Sequence, residues 1–368
     1  MFDYYIYNAA RERAGILQHA VSVQWLEKYQ SPGEVKIVAQ ATPENINLLV
    51  EGNRIYSTGS DTCALICQVD MERVEMDRTL TVRGKLTAEL LSRRVVMATE
   101  RIVNVEAGIY ALYSRNRREL PIGTAAMEGY GEAVQTEITW GTVLEAAEDL
   151  CEQSGLGFKV LFNPQNGAET LKVYKGVDRT DDTGAGYVGY FGTDIGNVQK
   201  ALVSRGTANY KNVAVVAGAG EGTERVVRIV SLGRVSGEER RELYVDARDL
   251  QPKYQVAKPT GNHDEDGNPT YEYEDRNYTD EEYNAILDDR GRKKLAEYLM
   301  NHTLDCDVTQ ANILYGRDYR LGDRMPIKLA EAGIYGCARI AGVNMVSERA
   351  GERTVVELDE FTIKEDKK

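Results

Sequence analysis

The sequence predicts an α+β fold dominated by strands. Short runs of alternating apolar and polar residues recur along its 368 residues. Only two segments carry strong helix-start signals. Aromatic usage is skewed, with 22 Tyr against 5 Phe and 2 Trp. Alternation at period two places one side of a run on a core and the other in water. Tyr suits such a half-buried pleated surface, because its ring packs while its hydroxyl stays hydrated.

In chain order, Val21–Leu26 alternates as a strand, Ser31-Pro32-Gly33 turns the chain, and Gly33–Val38 alternates again. Leu80–Arg83 follows as a strand and leads into a helical turn at Thr87–Ser92. Thr142-Val143-Leu144-Glu145 is a capping box, in which hydroxyl and carboxylate satisfy backbone amides reciprocally. Val143, Leu144, Ala147, Leu150 and Cys151 then recur at helical spacing, and Gly155 stands where a left-handed cap ends a helix. Leu171–Tyr174 and Arg225–Val230 read as strands. The polar stretch Lys258–Asn277, with Tyr among acids, reads as an exposed hairpin or long loop. A second capping box, Thr279–Glu282, opens a segment that Gly291 interrupts, giving either two helices or one kinked helix. Thr354–Leu358 is a final strand. Composition divides the chain into residues 1–100, 101–200 and 201–368, with no repeat of fixed period.

Charge and cysteine content exclude several classes. Lys+Arg number 45 against 58 Asp+Glu, a formal net charge of −13. A general grip on nucleic acid needs a basic surplus to displace counterions from phosphate, and this surface would instead repel DNA or an anionic membrane. The start carries Asp3 where a signal peptide carries positive charge, and no apolar run reaches membrane-span length. The five cysteines, Cys63, Cys67, Cys151, Cys306 and Cys337, are odd in number and scattered. They read as small buried apolar residues of a chain made in the cytoplasm.

No constellation for chemistry stands out. Gly218-Ala219-Gly220-Glu221-Gly222 follows an apolar run, but an alternating segment comes next where a dinucleotide site needs a helix, so the glycines read as a hairpin tip. No G-K-[ST] string exists. His19, His263 and His302 lie far apart, and Cys63 and Cys67, on one side of a strand, have no second pair at zinc spacing. Asp264, Asp266 and Asn268 mimic the start of a calcium loop, but Pro269 occupies the place of its glycine and Asp275 that of its final Glu. Asp305 and Asp307, flanking Cys306, read as a wet strand face. The triplets at Asn277 and Asn301 read as chance, and no G-x-S-x-G elbow appears. No catalytic, cofactor-binding or metal residue is nominated, and no cofactor is expected. Elimination favours an assembly component over an enzyme.

Several strings, in order, carry a resemblance. Gln24–Ile37 gives an opening strand, turn and strand, and Leu80–Arg94 a strand into a Leu-Leu-Ser-Arg-Arg element. Val173–Thr180 contains Asp178-Arg179-Thr180, and Asn212–Gly218 and Tyr244–Leu250 follow, the latter containing Asp246-Ala247-Arg248-Asp249-Leu250. Asp318–Asp323 and Ala338-Arg339-Ile340 complete the series. Over about residues 20–360 the chain resembles the gene 37-like tail proteins of siphophages, which occur in phages and prophages of Gram-positive bacteria.

The resemblance implies a baseplate or tail-tip hub related to the gene 27-type hubs of T-even phages. It implies a β-barrel-like hub domain at residues 1–100, an α/β middle domain at 101–200, and a second such barrel with a helical insertion at 201–368. A ring, usually a trimer, would line a channel. Partners would be the chain itself, a distal tail protein, tail-tip, spike or fibre proteins and a tape-measure protein, with DNA passing the lumen unbound and no membrane anchor. The place of action would be the virion tail. Asp178, Arg179, Asp246, Arg248 and Asp249 would form charge-assisted pairs, and Gly322-Asp323 would turn into the strand Met325–Leu329. A tail-associated cell-wall hydrolase with a hidden carboxylate pair is the alternative, and a host-receptor adhesin a third reading.

Overall fold

The structure, a computed structural model, describes residues 2–74, 77–131, 133–184, 186–263, 269–298, 301–310, 312–349 and 351–363. Asp264, Asp266 and Asn268 and the charged end at 364–368 lie outside these residues. Strand accounts for 46% of the chain and helix for 19%, so β structure dominates.

One sheet of eleven strands forms the body. Its order is Phe191–Gly192, Arg324–Leu329, Ile334–Glu348, Ala20–Lys28, Glu34–Gln40, Asp77–Leu86, Cys63–Val74, Arg54–Ser57, Tyr4–Tyr7 and Arg13–Ile16, with Gly351–Ile363 paired along the second side of Ile334–Glu348. The long Ile334–Glu348 strand makes the junction. Its first half pairs with Arg324–Leu329 and its second half with Ala20–Lys28, in a register that sets Met345 opposite Trp25. The two ends of the chain are thereby one sheet. Alternation works as the sequence predicts: Val23, Trp25, Val35 and Ile37 all fall on the buried side and join Ile327, Ile340 and Val343 in one apolar cluster.

Four α-helices stand among the described residues. The short α1, Pro43–Leu48, is capped by Thr42. The next, α2 at Val105–Asn116, is capped by Asn104, whose side chain accepts from Ala107 N. The predicted box caps α3, Val143–Ser154, with both reciprocal bonds made, and Gly155 ends it at φ 68°. Together α2 and α3 pack with the sheet of Gly157–Phe162, Glu169–Tyr174 and Ile122–Thr124 in a second apolar cluster.

The second box caps α4, Asp280–Ala296, as a single helix through Gly291. A Cβ at Gly291 would come 2.8 Å from Val216 and Val230, so the glycine allows the helix to lie close on the sheet beneath. That sheet joins Val213–Ala217 to Val227–Ser231 and Glu242–Asp246, and a third cluster fills the interface. The glycine string 218–222 is the hairpin tip between the first two strands. Its second strand begins at Val227 rather than Arg225, because Gly222–Glu224 forms a helical turn and Arg225 donates back to Gly218 O at 3.1 Å. The polar stretch is a hairpin, Lys253–His263 with Pro269–Asn277.

The cysteine expectation needs one correction. Cys63, Cys151 and Cys337 are buried free thiols, but Cys67 is exposed. The ladder to Asp77–Leu86 shifts register between Ile66 and Gln68, and this bulge at Cys67 turns its side chain outward. Asp305 and Asp307 do lie on a strand, Asn301–Val308. No helix among the described residues is long and apolar enough to cross a membrane.

Candidate functional site

The richest polar constellation lies where three remote segments meet around Tyr29, which follows the Ala20–Lys28 strand and is 1% exposed. Its backbone N–H donates to Ala341 O at 2.9 Å, and its carbonyl accepts from Phe158 N at 3.1 Å. Its hydroxyl donates to Gly155 O at 3.0 Å and accepts from Gly176 N at 3.1 Å. Two glycines make room for the ring: a Cβ at Gly157 would lie 2.3 Å from it and one at Gly322 2.2 Å. Gly322 also stands at φ +89°, in the left-handed region that favours glycine. Tyr174 meets the ring edge-on at 5.2 Å, and the Arg339 guanidinium covers it at 5.3 Å while donating to Gly322 O at 3.1 Å.

Asp323, 2% exposed, closes the joint. Its Oδ1 accepts from Val177 N at 2.8 Å, and its Oδ2 from Arg179 Nε at 2.7 Å and Arg320 N at 2.9 Å. Arg179 also donates to Gly186 O at 2.9 Å. The Asp178 backbone forms a parallel β-bridge with that of Arg324, and its carboxylate accepts from Thr180 N and Oγ1, shaping the local turn. Asp178, Arg179, Gly322 and Asp323 are therefore brought together, at the entry to the strand Arg324–Leu329.

Asp246, Arg248 and Asp249 lie elsewhere, beside the third cluster. Asp246 accepts from Arg248 Nε at 2.9 Å and from Arg225 Nη2 at 3.1 Å. The Arg248 hydrogen bonds hold its carboxyl down at about 2. Asp249 is gripped by Arg290 at 3.2 and 2.8 Å, tying its loop to α4. Exposed pairs of this kind contribute little to stability.

Two buried carboxylates carry no sequence signal of their own. Glu169, inaccessible at its side chain, pairs with Arg54 at 2.8 Å and Arg11 at 3.1 Å, joining the edge of the main sheet to the middle hairpin. Glu106, on α2, accepts from Glu128 N, Gly129 N and Tyr130 N at 2.6, 3.0 and 2.9 Å. Both act as fasteners, with each carboxylate oxygen accepting from protein donors. Among the described residues no group of three or more His, Cys, Asp or Glu is placed to hold a metal ion.

This architecture is that of phage tail proteins. It resembles the tail protein from Neisseria meningitidis MC58 at 14% identity and TM-score 0.58, covering 98% of this chain and 96% of that one. It resembles the 43 kDa tail protein of prophage MuSo2 from Shewanella oneidensis at 13% identity and TM-score 0.60, covering 97% and 98%. A chain of the Francisella PdpA–VgrG complex, in its lidded form, is similar at 8% identity and TM-score 0.51, covering 98% of this chain and 54% of that one. No curated protein matches in sequence. The sequence matches the family described as Siphovirus ReqiPepy6 Gp37-like protein over residues 3–358, and the chain belongs to that family.

Proposed function

We propose that this tail protein is a baseplate or tail-tip hub that joins the tail tube to the tip of a phage, prophage or phage-tail-like particle. The observation that carries the reading is end-to-end coverage: 97% of this chain and 98% of the MuSo2 tail protein superpose, so the tail-protein fold takes up the chain. The role is structural rather than enzymatic. The regions 1–100 and 201–368 act as hub domains around the α/β region 101–200. The protein is made in the host cytoplasm and works in the virion tail, against a distal tail protein, a tip, spike or fibre protein and the tape-measure protein.

In a trimeric ring, three copies at −13 put −39 around one axis. A wall poor in Lys and Arg would let a polyanion pass without the contacts that retain it. Native mass spectrometry tests assembly, with a species of three 41.1 kDa chains expected. A strict monomer at high concentration, still monomeric with the neighbouring tail proteins added, refutes the ring. A ring map with a lumen lined by Lys and Arg refutes the electrostatic part.

A further inference from the structure

Four arginines crowd one surface of the middle region, in a chain of net charge −13. Arg93 ends the helical turn Thr87–Arg93 and Arg94 follows it, while Arg117 and Arg118 follow α2. The buried Leu90 and Leu91 anchor the first loop from within. Hydrogen bonds then brace the two loops against each other: Arg94 Nε donates to Arg117 O at 2.7 Å and its Nη2 to Arg118 O at 3.1 Å, and Arg118 Nη2 donates to Val95 O at 3.1 Å. Those acceptors are neutral carbonyls, so the bonds fix the guanidiniums and leave their charge unbalanced. Among the described residues none of the four stands in an ion pair, whereas the neighbouring Arg115 pairs with Glu100. Burial and the nearby Arg94 guanidinium hold the Arg118 guanidinium below its ordinary range, as like charges do when no counterion separates them.

A second observation is apolar. Val96 is fully buried, so alternation turns Val95 and Met97 outward together, and they are 42% and 60% exposed. Val95 bridges Thr142 in antiparallel fashion, and the Val96 N–H donates to Gly141 O at 2.8 Å. Met97 and Trp140 flank that bond on its two strands, and Trp140 is 70% exposed. Arg118 Nη1 reaches the Met97 sulfur at 3.3 Å, which joins the apolar residues to the arginines in one surface. Trp, Met and Arg are the residues enriched where proteins bind one another. Trp140 also lines the cleft beside α3, but four of the five acids there are engaged elsewhere: Glu145 by Thr142 N at 2.7 Å, Asp149 by Lys293 at 2.7 Å, Asp249 by Arg290 at 2.8 Å and Asp275 by Lys253 at 3.2 Å.

We propose that this surface docks an acidic segment of a partner protein that carries an apolar or aromatic residue among its carboxylates. The carboxylates take the Arg93 and Arg117 guanidiniums, which are exposed and make no side-chain hydrogen bond among the described residues. Arg94 and Arg118, braced to the backbone, supply fixed positive charge beside them. The apolar residue covers Met97 and Trp140. A polyphosphate would balance the charge equally well but leave these side chains in water, so the composition of the surface favours a protein. The proposal is independent of the ring, since a monomer contains the whole surface.

Fluorescence anisotropy of a labelled peptide, glutamates around a central Phe-Leu pair, titrated with the full chain in about 150 mM salt, tests it, because at that ionic strength long-range attraction is largely screened. Saturable binding is expected. An Arg93→Glu, Arg117→Glu double variant should weaken it about tenfold or more, since like charges then meet across the contact. A Met97→Ser, Trp140→Ser double variant should bind the peptide no better than the parent binds polyglutamate of the same length. All four side chains are exposed, so thermal unfolding of both variants should match that of the parent. No saturable binding by the parent, or equal binding by the arginine variant, overturns the proposal. Polyglutamate binding the parent as tightly as the mixed peptide overturns the apolar half of the contact. Single-stranded DNA competing at the peptide's own concentrations overturns a protein as the occupant.

Discussion

Replacing Asp323 with Ala should cost about 4 kcal/mol of stability. The substitution strands the Arg179 guanidinium, only 15% accessible, opposite a carboxylate that was 3% accessible. Breaking a buried pair costs roughly 3–5 kcal/mol, and the residual hydration of Arg179 favours the low end. Val177 N–H and Arg320 N–H also lose their acceptor. Each orphaned donor costs about 1–3 kcal/mol, less where water enters the space vacated. Asp323→Asn should cost about half as much. Its amide oxygen can keep the Arg179 and Arg320 bonds made by Oδ2, but its NH₂ then faces the Val177 N–H in place of Oδ1. Urea unfolding in a Trp140→Phe background reads this well. Trp25 is 1% exposed in the same cluster as Tyr29, whereas Trp140 is 70% exposed and reports nothing of the core. A loss under about 1 kcal/mol for Asp323→Ala refutes the joint as a stabilising device, on the scale of an ordinary surface change. Equal losses for Ala and Asn refute the assignment of donors.

Further outcomes follow from the same geometry. Gly322→Ala should destabilise by about 3 kcal/mol or more, from left-handed strain plus a methyl driven into the Tyr29 ring; a melting temperature unchanged from the parent would contradict it. Burial pushes the Glu27 carboxyl above its ordinary 4.5, so the folded state holds that proton more tightly than the unfolded one. Its contribution to stability is full below pH 4.5 and falls as pH rises through the raised value. Glu27→Gln should therefore flatten stability against pH above 4.5, and a steeper profile in urea titrations would reverse the sign. In a Cys306→Ser chain, one thiol, Cys67, should react rapidly with a disulfide reagent, because Cys63, Cys151 and Cys337 are buried and burial raises the Cys63 and Cys151 thiols. Rapid labelling that survives Cys67→Ser would show the bulge to be wrongly placed.

Local order was largely legible. Both capping boxes cap helices, the alternating runs are strands, and the glycine string is a hairpin tip, because each of these depends on residues a few positions apart. The helix α2 is not legible. Asn104 caps it and Val105, Ile109, Leu112 and Tyr113 form its buried stripe, but the strand Glu100–Asn104 runs straight into it with no turn residue between. The bulge at Cys67 is equally silent, since Cys63–Cys67 is an unbroken apolar run with no alternation whose phase a one-residue shift could break. Long-range partners were beyond reach in principle. Nothing near Glu169 specifies Arg54 and Arg11, and nothing near Trp25 specifies Met345.

The strings behind the family resemblance gain a physical reading from where they meet. Asp178-Arg179-Thr180 and Tyr319–Asp323 are about 140 residues apart in sequence, yet one ion pair, Arg179 to Asp323, and one backbone β-bridge, Asp178 to Arg324, bring them together. Each string looks like an ordinary turn when taken alone. Together they fix how the segment after the middle hairpin crosses the strands that close the main sheet, with Tyr29 wedged between the glycines on either side. Asp246–Leu250 does a different task, fastening a sheet loop to α4 through Arg290. The joint holds these segments in fixed relation with a buried carboxylate that accepts three hydrogen bonds and two glycine contacts that tolerate no added methyl, so its precision comes from steric exclusion and directed hydrogen bonds rather than from apolar area, which carries no direction.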